Sequence, residues 1–160
     1  MRDLALLSNP ALRQKSVEVK KVSPKIKKLA KELTEFLDAY QADNIRAIGL
    51  AAPEVGELVR LIAFRRNPFS VDLLDIQVLI NPTLVYAKDF RLVTEMCLNI
   101  PGKKFTLRRA KIVKIRGLNL DGIQRTFRGH DLLAQVFQHE LDHLDGILID
   151  QTGELEIHND

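Results

Sequence analysis

Apolar residues recur at helical spacing near the start of the chain. They are Ile26, Leu29, Ala30, Leu33, Phe36, Leu37 and Tyr40. This spacing predicts an amphipathic helix of about four turns that covers a hydrophobic core. Ser23 is suited to cap its first turn, and Pro24 fits the first helical position.

Strand-like patterns fill the middle of the chain. Runs of β-branched and alternating apolar residues predict strands over 58–64, 76–80, 83–87, 91–97, 110–120 and 123–127. Turns are indicated at Asn81-Pro82, Pro101-Gly102 and Asp121-Gly122. Glycines, alanines and a proline predict a compact loop over 47–56, and its composition alone leaves open whether the loop has a function.

A second helical pattern closes the chain, with apolar residues at 132, 133, 136, 137, 141 and 144. Asp131 is its expected N-cap, and Gly146 follows its end. The order of elements predicts an α+β fold in which antiparallel β-sheets surround a central C-terminal helix. We expect one domain over residues 1–150 and a polar tail over 151–160.

The chain of 160 residues is 46% hydrophobic and carries a net charge of +3. Its basic residues are scattered in short runs such as Lys20-Lys21 and Arg65-Arg66, which is typical of a solvated surface. The apolar run over 4–7 is too short for a signal peptide, and no tract is long enough to cross a membrane. We therefore expect a cytoplasmic protein with no nucleic-acid and no membrane partner.

His139 and His143 are the first candidates for metal ligands. Their spacing of four residues puts both imidazoles on one face of the final helix, as two ligands of one metal must be. Glu140 lies between them and is placed to move protons, in the His-Glu-x-x-His arrangement that is also found in metalloproteases. Burial in the core without a function would explain a single histidine well, but it explains two histidines at this spacing poorly.

A catalytic metal site usually has three protein ligands. The only cysteine, Cys97, lies at the end of a predicted strand just before Pro101-Gly102. A lone cysteine is most often a buried apolar residue, but its place at a strand end makes it a natural third ligand.

Three segments together resemble the signature motifs of the peptide deformylases. That family has Gly-x-Gly-Leu-Ala-Ala-x-Gln, Glu-Gly-Cys-Leu-Ser and Gln-His-Glu-x-Asp-His-Leu-x-Gly, in this order. The chain has Ala-Ile-Gly-Leu-Ala-Ala-Pro-Glu over 47–54, Glu-Met-Cys-Leu-Asn over 95–99, and the complete third motif over 138–146. The resemblance extends to about residue 150.

The resemblance implies that Cys97, His139 and His143 bind one divalent metal ion, most often Fe²⁺, with Zn²⁺ or Ni²⁺ as substitutes. Glu140 would act first as general base and then as general acid. The backbone N–H of Leu98 would form part of an oxyanion hole. The implied reaction is removal of the formyl group from the N-terminal formyl-methionine of new polypeptides.

The chain departs from the family pattern at two positions that face this chemistry. Glu54 replaces the motif-one glutamine, whose amide would complete the oxyanion hole. An ionised carboxylate has no hydrogen to donate, whereas a protonated one can donate, and a nearby cation favours the ionised form or recruits Glu54 as a ligand. Met96 replaces a glycine and is expected to narrow the cleft, while Asn99 and Ala47 are milder replacements.

The expected methionine pocket is mostly apolar. It comprises Ile48, Gly49, Val93, Leu132 and Val136, with Met96 beside the peptide backbone. Gln135 is either a helix residue turned toward water or a determinant of substrate preference. We expect a monomer that acts on formylmethionyl peptides or nascent chains. The alternative is a deformylase-like protein with weak or no such activity, which acts on another N-acyl amide or binds peptides.

Overall fold

The computed structural model describes residues 3–42 and 45–156. After a short 3₁₀ turn at Pro10–Arg13, helix α1 spans Pro24–Ala39. The helix begins as predicted, because the Ser23 hydroxyl accepts a hydrogen bond from the backbone N–H of Ile26. Its apolar face packs onto a cluster that includes Leu50 of the sheet.

The strands that follow α1 form one main antiparallel sheet. They are β1 (Gln41–Ala42), β2 (Ile45–Arg46), β3 (Gly49–Ala51), β4 (Leu61–Arg65), β5 (Ile76–Cys97), β6 (Ile100–Leu118) and β7 (Gln124–His130), followed by α2 (Asp131–Leu144), α3 (Ile149–Thr152) and β8 (Glu154–Leu155). The sheet has the order β3-β4-β5-β6-β7, β8 pairs with β6, and β1 pairs with β2 separately. The predicted α+β class is confirmed.

Helix α2 lies against the sheet and is mostly buried. Phe137 is fully buried and meets the ring of Phe64 edge-on at 4.9 Å between centroids. Gln138 joins the helix to β6, since its amide accepts from the N–H of Ala110 at 2.9 Å and donates to the carbonyl of Ala110 at 3.0 Å. The central C-terminal helix is therefore confirmed, although its N-cap is His130 and Asp131 is its first residue.

The sequence-based prediction of a turn at Asn81-Pro82 was wrong. β5 runs through this point with a shift of register between Ile80 and Thr83. Asn81 takes a left-handed backbone conformation with φ 50°, and its side chain bonds both backbone groups of Val19, at 2.8 and 2.9 Å. Asn81 therefore ties β5 to the N-terminal segment by two hydrogen bonds, and the chain does not turn there.

Three other expectations need correction. The turn between β5 and β6 lies at Leu98–Asn99, because Cys97 pairs with Ile100. The first half of β6 lies where no strand was predicted. The expected loop over 47–56 contains β3 and a 3₁₀ turn at Ala52–Val55.

The described part of the C-terminal segment packs onto the domain. β8 pairs with Phe105 and Thr106 of β6. Residues 157–160, which include His158 and the rest of the expected tail, lie outside the described residues, and the domain boundary at 150 stays a prediction. None of the described helices is both long and apolar enough to span a membrane.

Candidate metal centre

The three predicted ligands come together where β5 ends beside α2. The Sγ atom of Cys97 lies 3.4 Å from Nε2 of His143, which lies 3.1 Å from Nε2 of His139. The donor atoms of all three residues lie within 4.8 Å of one another. Cys97 and His143 are buried, whereas the His139 side chain keeps 13% of its surface exposed. One edge of the site is thus open to the cleft.

The donor set fits a divalent transition metal. Thiolate and imidazole together suit zinc and iron. Burial holds the pKa of His143 well below its usual range, so this imidazole is neutral and can act as a ligand. Burial also raises the pKa of the Cys97 thiol, and the charge of Glu54 adds to the effect. A cation at this point would reverse that shift and favour the thiolate.

A carboxylate that sequence reasoning left without a role orients His139. Nδ1 of His139 lies 3.1 Å from Oε2 of Glu95. Arg109 donates to the same carboxylate at 2.8 and 3.1 Å, and to Asp142 at 2.6 Å. Burial opposes ionisation of Glu95, but the hydrogen bonds from His139 and Arg109 lower its pKa below the usual value. An ionised Glu95 accepts a hydrogen bond from the Nδ1–H group of His139. This keeps the proton on Nδ1 and leaves Nε2 free to bind a metal.

Glu54 and Glu140 form a buried pair of neighbouring carboxyl groups. Oε2 of Glu54 accepts the backbone N–H of Ala51 at 2.7 Å, and Oε1 lies 3.5 Å from Nε2 of His143. Burial raises the pKa of both groups, and the charge of Glu54 raises that of Glu140 further. Of the two carboxyl groups, Glu140 therefore favours the protonated form more strongly, and a cation at the neighbouring ligands would lower its pKa again.

Asn99, which replaces the family serine, holds the two turns of the site together. Its amide donates to the carbonyl of Ala5 at 2.8 Å and to that of Glu54 at 3.2 Å. The N–H of Ala5 donates to the Glu54 carbonyl at 2.7 Å. The turn that carries Leu98 is thereby fixed relative to the turn that carries Glu54.

A cleft of about 450 Å³ opens onto these groups. The predicted site residues that line it are Ile48, Gly49, Glu54, Met96, Cys97, Leu98, Leu132, Val136, His139 and Glu140. Its walls also include Tyr40, Arg46, Thr94, Ile100, Pro101, Gly102 and Lys104, which sequence reasoning missed. A Cβ atom on Gly49 would lie 2.7 Å from Cγ1 of Val136 and would also meet the Glu140 carboxylate, so only glycine fits there.

One predicted position differs from expectation, and the structure places a second one, Gln135, for which two alternatives were open. Val93 does not line the cleft. It pairs with Leu107 and packs against the cluster that contains Phe105. Gln135 does line the cleft, and its amide donates to the carbonyl of Thr94 at 2.9 Å, so it bridges α2 and β5.

A Cys-His-His donor set beside a protonatable carboxyl group, at the base of a peptide-sized cleft, defines a metal-dependent hydrolase. The family model described as Polypeptide deformylase matches residues 1–156. The chain belongs to this family.

Individual relatives agree with the family match. The chain is 36% identical over 151 residues to a peptide deformylase of Dictyoglomus thermophilum, covering 93% of this chain and 90% of the relative. It is 38% identical over 151 residues to that of Thermomicrobium roseum, with coverage of 92% and 83%. The crystal structure of the Thermotoga maritima peptide deformylase superposes with a TM-score of 0.83 at 27% identity, covering 95% of this chain and 97% of the other.

Proposed function

We propose that this chain hydrolyses the formyl group from N-formylmethionyl peptides and nascent chains, as a cytoplasmic monomer. The observation that carries the proposal is the complete set of Cys97, His139 and His143, with Glu140 beside them in the cleft. The relatives and structural neighbours, which are named peptide deformylases, support the same activity. We propose Fe²⁺ as the native ion, with Zn²⁺ or Ni²⁺ as substitutes.

The reaction adds the oxygen of water to the formyl carbon, breaks the C–N bond, and releases formate and a free amine. Cys97, His139 and His143 would hold the metal ion, which would act there as a Lewis acid and promote the ionisation of water. Glu140 takes up the proton from water and delivers it to the departing amine. Its buried position and raised pKa suit it to hold that proton between the two steps.

The remaining site residues position the substrate in this proposal. Ile48, Gly49, Leu132 and Val136 form the apolar wall for the methionine side chain, as a thioether requires. The backbone N–H of Leu98 stabilises the developing oxyanion. Met96, which is 43% exposed at the cleft, limits the space beside the peptide backbone.

Glu54 is the position that favours a second candidate function. One of its oxygens already accepts the N–H of Ala51, and its pKa is raised less far than that of Glu140. An ionised Glu54 has no hydrogen to donate to an oxyanion, and losing one such donor typically slows turnover by about 100- to 1000-fold. The second candidate is a deformylase-like protein of weak or no deformylase activity, which acts on another N-acyl amide or binds peptides.

The test is formate release from formyl-Met-Ala peptides by wild type, Glu54→Gln and Glu140→Gln, each loaded with Fe²⁺ without oxygen or with Ni²⁺. We expect turnover by wild type, its loss in Glu140→Gln, and a gain of about 100-fold in Glu54→Gln, because an amide restores the missing donor. No turnover by wild type with one metal per chain would refute the deformylase proposal. A neutral or harmful Glu54→Gln change would show that glutamate has a role of its own.

A further inference from the structure

The outer side of the sheet formed by β5, β6 and β7 faces away from α2. Residues directly opposite each other in an antiparallel sheet point to the same side. The rungs on this side are Thr83-Arg116-Thr126, Tyr86-Lys114-Arg128, Lys88-Ile112-His130 and Leu92-Arg108, together with Phe90, whose partner Ala110 is buried in the cluster that contains Phe137. We call these residues the outer face. The alternate positions of β6, such as Val113 and Ile115, are fully buried on the α2 side.

The outer face is strongly positive. Its cations are Lys88, Arg108, Lys114, Arg116 and Arg128, and it contains no aspartate or glutamate. Among the described residues, the ion pairs involve none of these five side chains. Of the adjacent acidic residues, Asp131 is held by Arg91 at 2.6 Å, and the Glu156 carboxylate accepts hydrogen bonds at 2.7 Å from Thr94 and from Thr106, the rung beside Leu92-Arg108. The positive charge is therefore available to an anionic partner.

Two aromatic rings lie among these charges. The guanidinium carbon of Arg108 lies 6.0 Å from the ring centre of Phe90, and Nζ of Lys114 lies 5.6 Å from that of Tyr86. Phe90 is 52% exposed and Tyr86 is 42% exposed. Rings on one strand and cations on the next are the combination that stacks bases while it neutralises phosphates.

We propose that the outer face binds single-stranded RNA. From Arg108 to Arg116 the face extends about 27 Å along β6, and three strands give it a width of about 10 Å, enough for several nucleotides. Membrane surfaces are bound more often by amphipathic helices or flexible basic segments than by a flat, rigid sheet. RNA is favoured over DNA because it is the single-stranded polymer of the cytoplasm proposed above.

This proposal replaces the sequence-based expectation of no nucleic-acid partner. That expectation considered short runs of neighbouring basic residues, and none of those runs contributes to the outer face. Lys88, Lys114 and Arg128 lie far apart in the sequence. Only the register of three strands assembles them.

The test uses the metal-loaded full chain and fluorescence anisotropy of a labelled uridine-rich RNA of about 12 nucleotides. The outer-face variant is Lys114→Gln/Arg116→Gln/Arg128→Gln. The control variant is Lys20→Gln/Lys25→Gln/Lys27→Gln, which removes the same charge from exposed positions on and before α1. We expect the outer-face variant to bind at least about 10-fold more weakly at about 50 mM salt, and the control to change by less than about 2-fold.

Two further measurements separate a docking face from general positive charge. The slope of log affinity against log salt should become shallower by about 2 in the outer-face variant, since about 0.7 is lost for each phosphate contact removed. Tyr86→Leu keeps the charge and should weaken binding by about 5-fold or more if a base stacks on the ring.

Arg128→Gln, at an exposed position, should give a smaller loss than the triple variant and does not depend on how well that variant folds.

Four outcomes would overturn the proposal. They are no binding of RNA by wild type at about 50 mM salt, equal loss in the outer-face and control variants, equally tight binding of the matching DNA, and capture by anionic phosphatidylserine vesicles without binding of RNA. Formate release by the outer-face variant should equal that of wild type, so failure of this proposal is distinct from failure of the deformylase proposal.

Discussion

Glu95 determines the ring orientation of His139 and which ring nitrogen faces the metal site. It is buried, it receives two hydrogen bonds from Arg109, and its second oxygen lies 3.1 Å from Nδ1 of His139. The carboxylate therefore fixes the ring orientation and strengthens Nε2 as a donor. Outer partners of this kind typically change metal affinity by about 10- to 100-fold when they are lost.

We predict that Glu95→Gln lowers metal affinity by about 10- to 100-fold, because the amide keeps the shape and removes the charge. Competition with a chromogenic chelator for Ni²⁺ measures the change directly. Glu35→Gln, at an exposed position of α1, is the matched control and should leave affinity unchanged. Equal affinities of wild type and Glu95→Gln would show that His139 does not depend on its carboxylate partner.

The metal ligands could be predicted from sequence because two of them are fixed by helical spacing and the third is the only cysteine. The partners of His139 could not, since Glu95 and Arg109 meet across the β5–β6 pairing. Phe105, Leu107 and Arg109 are alternate residues of β6, and all three are buried. The alternation therefore marks Arg109 as an inward-facing charge. Recognising it requires the register of β6, and the first half of that strand was not predicted.

At the scale of elements, Gln138 fixes α2 against the sheet. Its amide pairs with both backbone groups of Ala110 where β7 no longer covers β6. We predict that Gln138→Leu lowers the free energy of unfolding by about 1–3 kcal/mol, because buried backbone groups lose their partners. Urea denaturation measures the difference.

Gln135→Leu is the matched control for this prediction. Gln135 lies one turn earlier on α2 and makes a single exposed hydrogen bond to Thr94. It should change the free energy of unfolding by less than about 1 kcal/mol. If the two variants were equally stable, the bridge to Ala110 would not be what holds α2 in place.

Helices α1 and α2 were predicted almost to the residue, whereas α3 was not predicted and the long strands were divided. Asn81-Pro82 is a strong turn signal by local rules, and a residue with φ 50° does occur there. The chain nevertheless continues as one strand, because β4 pairs with β5 up to Ile80, and β6 pairs with β5 at Ile80 and again from Thr83 onward. Pairing with distant segments decides this, and a local pattern does not contain it.

At the scale of the whole molecule, the metal site joins β5 to α2 at the point where the hydrophobic clusters meet. Cys97 belongs to the cluster that contains Leu148, while Phe137 and Leu141 of α2 belong to another. Two carboxyl groups, a thiol and the imidazole of His143 are buried there, and the imidazole of His139 is mostly buried. A bound cation offsets the cost of burying these polar groups and links the two elements.

We therefore predict that metal raises the thermal stability of the whole domain. A ligand that binds only the folded state at about 1000 times its Kd stabilises it by about 4 kcal/mol, which corresponds to a rise in Tm of about 8 to 16 °C for a chain of this size. Differential scanning calorimetry of metal-stripped protein, before and after addition of Ni²⁺, measures the shift. In Cys97→Ala, which loses a ligand and keeps an apolar side chain, the same addition should move Tm by less than half as much. A large equal shift in both proteins would place the stabilising metal elsewhere in the chain.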